Sequence, residues 1–162
     1  VRLRPVTKIV TGLVIAFCAV RLSGLDLLFD PVGWGLCAAG LLPLRRPGDA
    51  FARAQTWTIC MVPASLVATY ASGELPDEPV RDLIGNAVTA GALVTVWLIT
   101  DAFVSRMCSL GDSSPAALLD VLRWAVAGLG TAGLPAGSGY AELSPVLTLG
   151  WFAALVVLVI AL

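Results

Sequence analysis

Histidine is absent from this chain of 162 residues. That removes His-ligated haem or zinc and the commonest general base. Charge is also scarce: Asp, Glu, Lys and Arg make up 13% of the chain and apolar residues 58%, against about 25% and about 45–50% in a soluble domain. A water-soluble globule and a disordered chain are both disfavoured by these proportions. The formal charge is −1, and no basic stripe of the kind that binds nucleic acid is present. The composition reads as that of a membrane protein.

Chemical motifs are missing as well. There is no phosphate-binding glycine loop, no G-x-S-x-G and no H-E-x-x-H. No D-D-x-x-D or D-x-D-D motif occurs, and Asp77-Glu78-Pro79-Val80-Arg81-Asp82 resembles the former only superficially. The four cysteines, Cys18, Cys37, Cys60 and Cys108, fall in separate apolar stretches with no metal-site spacing. They read as isolated buried thiols that fill space. Neither a metal nor a cofactor is therefore expected.

What the chain does have is long charge-free stretches, at 9–20, 31–44, 54–73, 83–100, 124–141 and 143–162. A membrane span needs about 20 mostly apolar residues. Asp30-Pro31, Glu78-Pro79, Ser114-Pro115 and Ser144-Pro145 each place a polar residue before proline. Proline loses no hydrogen bond at the start of a helix, and a preceding Asp or Ser can cap it. The pattern predicts six helices, over 6–28, 31–45, 49–72, 79–108, 115–133 and 145–162. Pro63 should kink the third. The expected fold is an all-α membrane protein, an up-and-down bundle of about six transmembrane helices in a single domain over 1–162.

Six crossings would collect Arg2, Arg4, Lys8, Arg45, Arg46, Arg53 and Arg106 on one side. The other side would carry Asp26, Asp30, Glu74, Asp77, Glu78, Asp82 and Glu142, with Arg81. The positive-inside rule then places both termini in the cytoplasm. Arginine outnumbers lysine nine to one, which fits a GC-rich bacterial genome and so a multi-pass protein of the bacterial cytoplasmic membrane. Arg21 and Asp26 follow the first apolar run where a signal peptide would carry a small-residue cleavage site, so that run is read as retained.

Ionisable groups at membrane depth are candidates for function. Asp120 and Arg123 are three residues apart on one helix and can pair. Asp101 lies near the end of the fourth helix, where it can reach water. The outer rim gathers more: Asp26, Asp30, Tyr70, Glu74, Asp77, Glu78, Asp82, Tyr140 and Glu142. Two readings stand open, a solvated acidic rim with belt aromatics, or a cavity mouth using carboxylates as acid and base. Asp26, Asp30 and Glu142 abut apolar helix, where desolvation would keep a carboxyl protonated. Phe29, Trp34, Trp57, Trp97 and Tyr140 could line an apolar pocket that stabilises a cation over ring faces, or could simply pack. Gly35/Ala39, Ala87/Gly91 and Gly128/Ala132 have the spacing that lets helix backbones approach.

The stretch Leu25-Asp26-Leu27-Leu28-Phe29-Asp30-Pro31-Val32-Gly33-Trp34 resembles an entry pattern of small bacterial membrane proteins. Size, helix number, missing metal motifs and rim acids together resemble the small integral-membrane terpene cyclases of bacterial indole-terpenoid pathways, of the drimentine and xiamycin type, and more distantly the fungal meroterpenoid cyclases. The resemblance implies metal-independent, protonation-initiated cyclisation of a prenylated indole or other aromatic substrate in contact with membrane lipid. Asp26, Asp30 or Glu142 would be the acid, and Tyr70 would hold it or shape the cation path. The alternative is a non-enzymatic membrane protein, a transporter or complex subunit, that uses Asp101, Asp120 and Arg123 as contacts between helices.

Overall fold

The computed structural model describes residues 4–18, 30–46, 48–74, 77–111, 113–136 and 144–161. Among them the regular structure is all helical: α1 (Pro5–Cys18), α2 (Asp30–Leu41) followed by a 3-10 turn (Leu42–Leu44), α3 (Ala50–Glu74), α4 (Glu78–Leu110), α5 (Ser113–Ala136) and α6 (Ser144–Ala161). Several helices start slightly earlier than the prolines suggested. Pro31, Pro79, Pro115 and Pro145 sit second or third in their helices. The amides of a first helical turn have no partner within the helix, so proline is tolerated throughout it. Pro63 lies within α3, which continues through it. Gly111 closes α4 at φ 85°, its N–H donating to the Cys108 carbonyl at 3.2 Å, the left-handed stop that glycine adopts without strain.

The chain forms two compact units, Val1–Thr95 and Val96–Leu162. In the first, α2 packs against both α1 and α3. Close approach of α1 and α2 depends on missing side chains. A Cβ built on Gly33 would stand 2.6 Å from the Ala16 backbone nitrogen and 2.7 Å from the Gly12 carbonyl. One on Gly40 would meet the Pro5 carbonyl at 2.8 Å. Residues early in α1 thus face residues late in α2, so the pair is antiparallel. The Cys37 thiol fills the same seam and donates to the Ile9 carbonyl at 3.4 Å. The buried hydroxyls Thr58 and Ser65 are satisfied by carbonyls of their own helix, which leaves little polar demand in the interior.

In the second unit α5 packs on α6, with Leu129 in contact range of a side chain placed at Gly150. Ala116, Leu119, Leu122 and Val126 are buried along α5, a three-and-four spacing that makes one apolar stripe. Val96, Ile99 and Phe103 repeat it on α4.

The expectation of six transmembrane helices requires correction. Among the described residues one helix, α4, is long and apolar enough to cross a membrane. The other helices, over their described residues, do not meet that standard. At about 1.5 Å per residue, the 12 residues described for α2 rise about 18 Å, against a hydrocarbon core of about 30 Å. α3 has the length, at 25 residues, but Gln55, Thr56, Thr58, Pro63, Ser65 and Thr69 dilute its apolarity. The multi-pass topology in a bacterial inner membrane, with both termini cytoplasmic, falls with the six spans on which it rested.

Candidate functional site

The most developed polar arrangement lies in the second unit, where α4 and α5 face one another across the Gly111 turn. Asp101 and Arg123 stand at similar distances on either side of that turn, so an antiparallel pair of helices brings them level. Arg123 Nη1 donates to Asp101 Oδ1 at 2.5 Å. Nη2 donates to Asp120 Oδ1, three residues earlier on α5. The guanidinium carbon lies 4.3 Å from the centre of the Trp97 ring. Trp97 in turn meets Trp124 edge-on, with centroids 4.6 Å apart and planes at 83°. The cation is thus held by two carboxylates and covered by an aromatic face, where the ring quadrupole attracts it. The Arg123 side chain is 13% exposed, Asp101 30% and Asp120 43%.

This geometry clasps two helices and is poorly suited to proton transfer. A guanidinium stays charged and cannot serve as a base. Each carboxylate is engaged by it. One nitrogen is left over, since Arg123 Nε is buried with no hydrogen-bond partner among the described residues. From sequence, Asp101 is open to two readings, reaching water near the end of α4 or meeting another helix; it is 30% exposed and pairs with Arg123 on α5. Its pairing with Arg123 links positions 22 residues apart, a separation that helical spacing along one segment does not reveal.

The proposed rim site looks different. Asp26, Phe29, Tyr140 and Glu142 lie outside the described residues. Asp30 opens α2 and is half-buried. Tyr70 is 68% exposed on α3. Trp57 is exposed on the same helix, whereas Trp34 is buried in α2 and meets Phe17 edge-on at 5.7 Å. Trp97 belongs to the arginine clasp. The structure therefore gathers Trp97 with Asp101, Asp120 and Arg123, and does not bring Tyr70, Trp34 and Trp57 into contact with one another. Among the described residues no group of three or more Cys, Asp or Glu could hold a metal ion. Of the thiols, Cys37 is buried and pushed up to about 12 by desolvation, but Cys60 and Cys108 are exposed, so the space-filling reading does not extend to those two.

Compared with known protein families, curated proteins and solved structures, the chain matches none. No match supports kinship with the indole-terpenoid cyclases. The reading as a six-span, protonation-initiated membrane terpene cyclase of secondary metabolism, generating carbocations as an isomerase or lyase, is corrected. Only one described helix has the length and apolarity of a span, and no cyclase family model matches.

Proposed function

We propose that this protein is a non-enzymatic helical membrane subunit, anchored by α4, that works through apolar contacts with lipid and with neighbouring helices. The observation that carries this reading is α4 itself. Its 33 residues rise about 50 Å at about 1.5 Å per residue, longer than the hydrocarbon core, and Val80, Leu83 and Val94 on it are exposed. Apolar side chains are also exposed on α3 (Ile59, Leu66, Val67) and on α5 and α6 (Leu118, Val121, Val156, Ile160). Apolar surface of that extent calls for a non-aqueous partner. Asp101 on α4 and Asp120 and Arg123 on α5 are spent on one another in the clasp. That is how ionisable groups persist near hydrocarbon. Gly35 faces open space and Ala39 is exposed on α2, leaving room for a further helix to approach.

Alkaline carbonate extraction of membranes from expressing cells tests the reading. The chain should stay in the membrane pellet. Val94→Asp puts an unpaired carboxylate on the exposed side of α4, at a penalty of about 3 kcal/mol for insertion, and should move a substantial share into the supernatant, while Val94→Leu should not. Release of the unaltered chain by carbonate would refute membrane anchoring.

A further inference from the structure

Although the whole chain is close to neutral, half of its basic side chains gather at one end of the first unit. Pro5 abuts Gly40 across the α1–α2 seam. That contact sets Arg4 and Lys8, at the start of α1, beside the end of α2. There the 3-10 turn leads within a few residues to Arg45 and Arg46. The chain then enters α3, whose first turn holds Arg53. Arg4, Arg46 and Arg53 are exposed. Arg45 is exposed and donates to Gln55 Oε1 at 3.3 Å. The acid at this end is Asp49, half-buried and accepting from the Ala50 amide at 2.7 Å, so it is turned toward the helix start. Among the described residues here, no salt bridge engages any of the five bases. Beside the arginines, Leu42 is 60% exposed and Pro43 is exposed with it.

We infer that this end of the first unit is a docking surface for anionic phospholipid headgroups, with Arg4, Arg46 and Arg53 meeting phosphate and Leu42 and Pro43 entering the acyl boundary. Charge complementarity supplies the occupant. Clustered Lys and Arg beside apolar sequence is the pattern that anionic bilayer surfaces attract, and an exposed leucine a few residues before Arg45 and Arg46 adds interfacial burial that a purely ionic site lacks. Nucleic acid fits less well, because the surface offers leucine and proline where base stacking would need aromatics. The inference rests on the membrane reading above and names the lipid chemistry on which it depends.

The test uses the detergent-purified full chain, diluted into equal amounts of neutral phosphatidylcholine vesicles and vesicles with about 30 mol% phosphatidylglycerol, separable by density. With about fivefold for each base near an anionic surface, the unaltered chain should favour the anionic vesicles by about 10²-fold or more. The triple variant Arg4→Gln/Arg46→Gln/Arg53→Gln should bring the ratio toward unity, as should about 1 M salt, where the screening length is about 3 Å. The matching Arg→Lys triple keeps the charge and should keep the preference, and Arg81→Gln/Arg106→Gln should leave it unchanged. Equal partition of the unaltered chain, or equal loss from the Arg81/Arg106 control, overturns the headgroup site while leaving the membrane reading intact. A chain that stays in the aqueous fraction overturns the membrane reading and the headgroup site together. Retention of duplex DNA that is lost in the Gln triple, without a difference between vesicles, assigns the surface to nucleic acid and overturns the lipid proposal.

Discussion

Replacing Arg123 by Met keeps much of the side-chain volume over Trp97 and removes the charge that two carboxylates face. Breaking a fully buried ion pair costs about 3–5 kcal/mol. Asp101 is 30% exposed, so water relieves part of that, and about 2 kcal/mol is expected from this side. Asp120 is 43% exposed, and its share falls below about 1 kcal/mol. Loss of the cation over Trp97 adds about 0.5–1 kcal/mol, for a total near 3 kcal/mol. Asp101→Asn should cost less, about 1–2 kcal/mol, because Arg123 keeps Asp120 and the amide oxygen can still accept. Asp120→Asn should cost under about 1 kcal/mol. Unfolding in detergent micelles, followed by near-ultraviolet circular dichroism of the Trp97–Trp124 pair, measures these differences. Double-mutant cycles should give a larger coupling for Asp101–Arg123 than for Asp120–Arg123. A neutral Arg123→Met, or a coupling through Asp120 that equals or exceeds the one through Asp101, would refute the account of Arg123 as a clasp between α4 and α5.

Two further predictions concern the first unit. Gly33→Ala should destabilise the α1–α2 pair by about 2–3 kcal/mol, since the new methyl meets backbone atoms that cannot rotate away. Gly35→Ala on the same helix meets open space and should be neutral or stabilising by up to about 1 kcal/mol; thermal unfolding of the two variants decides, and equal effects would show that the seam is not tight. Cys37 should alkylate about a thousandfold more slowly than Cys60, because burial moves its thiol from 9.0 to about 12 and the thiolate is the reactive form. The folded state holds this proton more tightly than the unfolded chain. The contribution is therefore full below the ordinary thiol value and is lost as pH climbs through the window from 9.0 to about 12. Mass-spectrometric labelling of single-cysteine variants at about pH 8 reads the rates, and comparable labelling of Cys37 and Cys60 would contradict its burial.

The amino-acid sequence by itself determined what depends on near neighbours along the chain. Prolines after polar residues marked where helices begin, because the unpaired amides of a first turn are a local matter. Charge-free stretches separated by Gly- and Pro-containing breaks marked the six α-helices found among the described residues, and three-residue spacing placed Asp120 beside Arg123. Tertiary structure alone decided which faces are covered. Tyr70 and Trp57 look as fit for a pocket as Trp34 does, yet only Trp34 is buried, since burial depends on which helix arrives opposite. The partnership of Asp101 with Arg123 needed α4 and α5 to fold back at Gly111. The near-contact of the α1 and α2 backbones needed Gly12, Gly33 and Gly40 to meet across the seam. Charge-free stretches predict more membrane-length helices than the described residues contain, because absence of charge is not apolarity. In α3, threonine, serine, glutamine and proline carry no charge but make transfer into hydrocarbon less favourable.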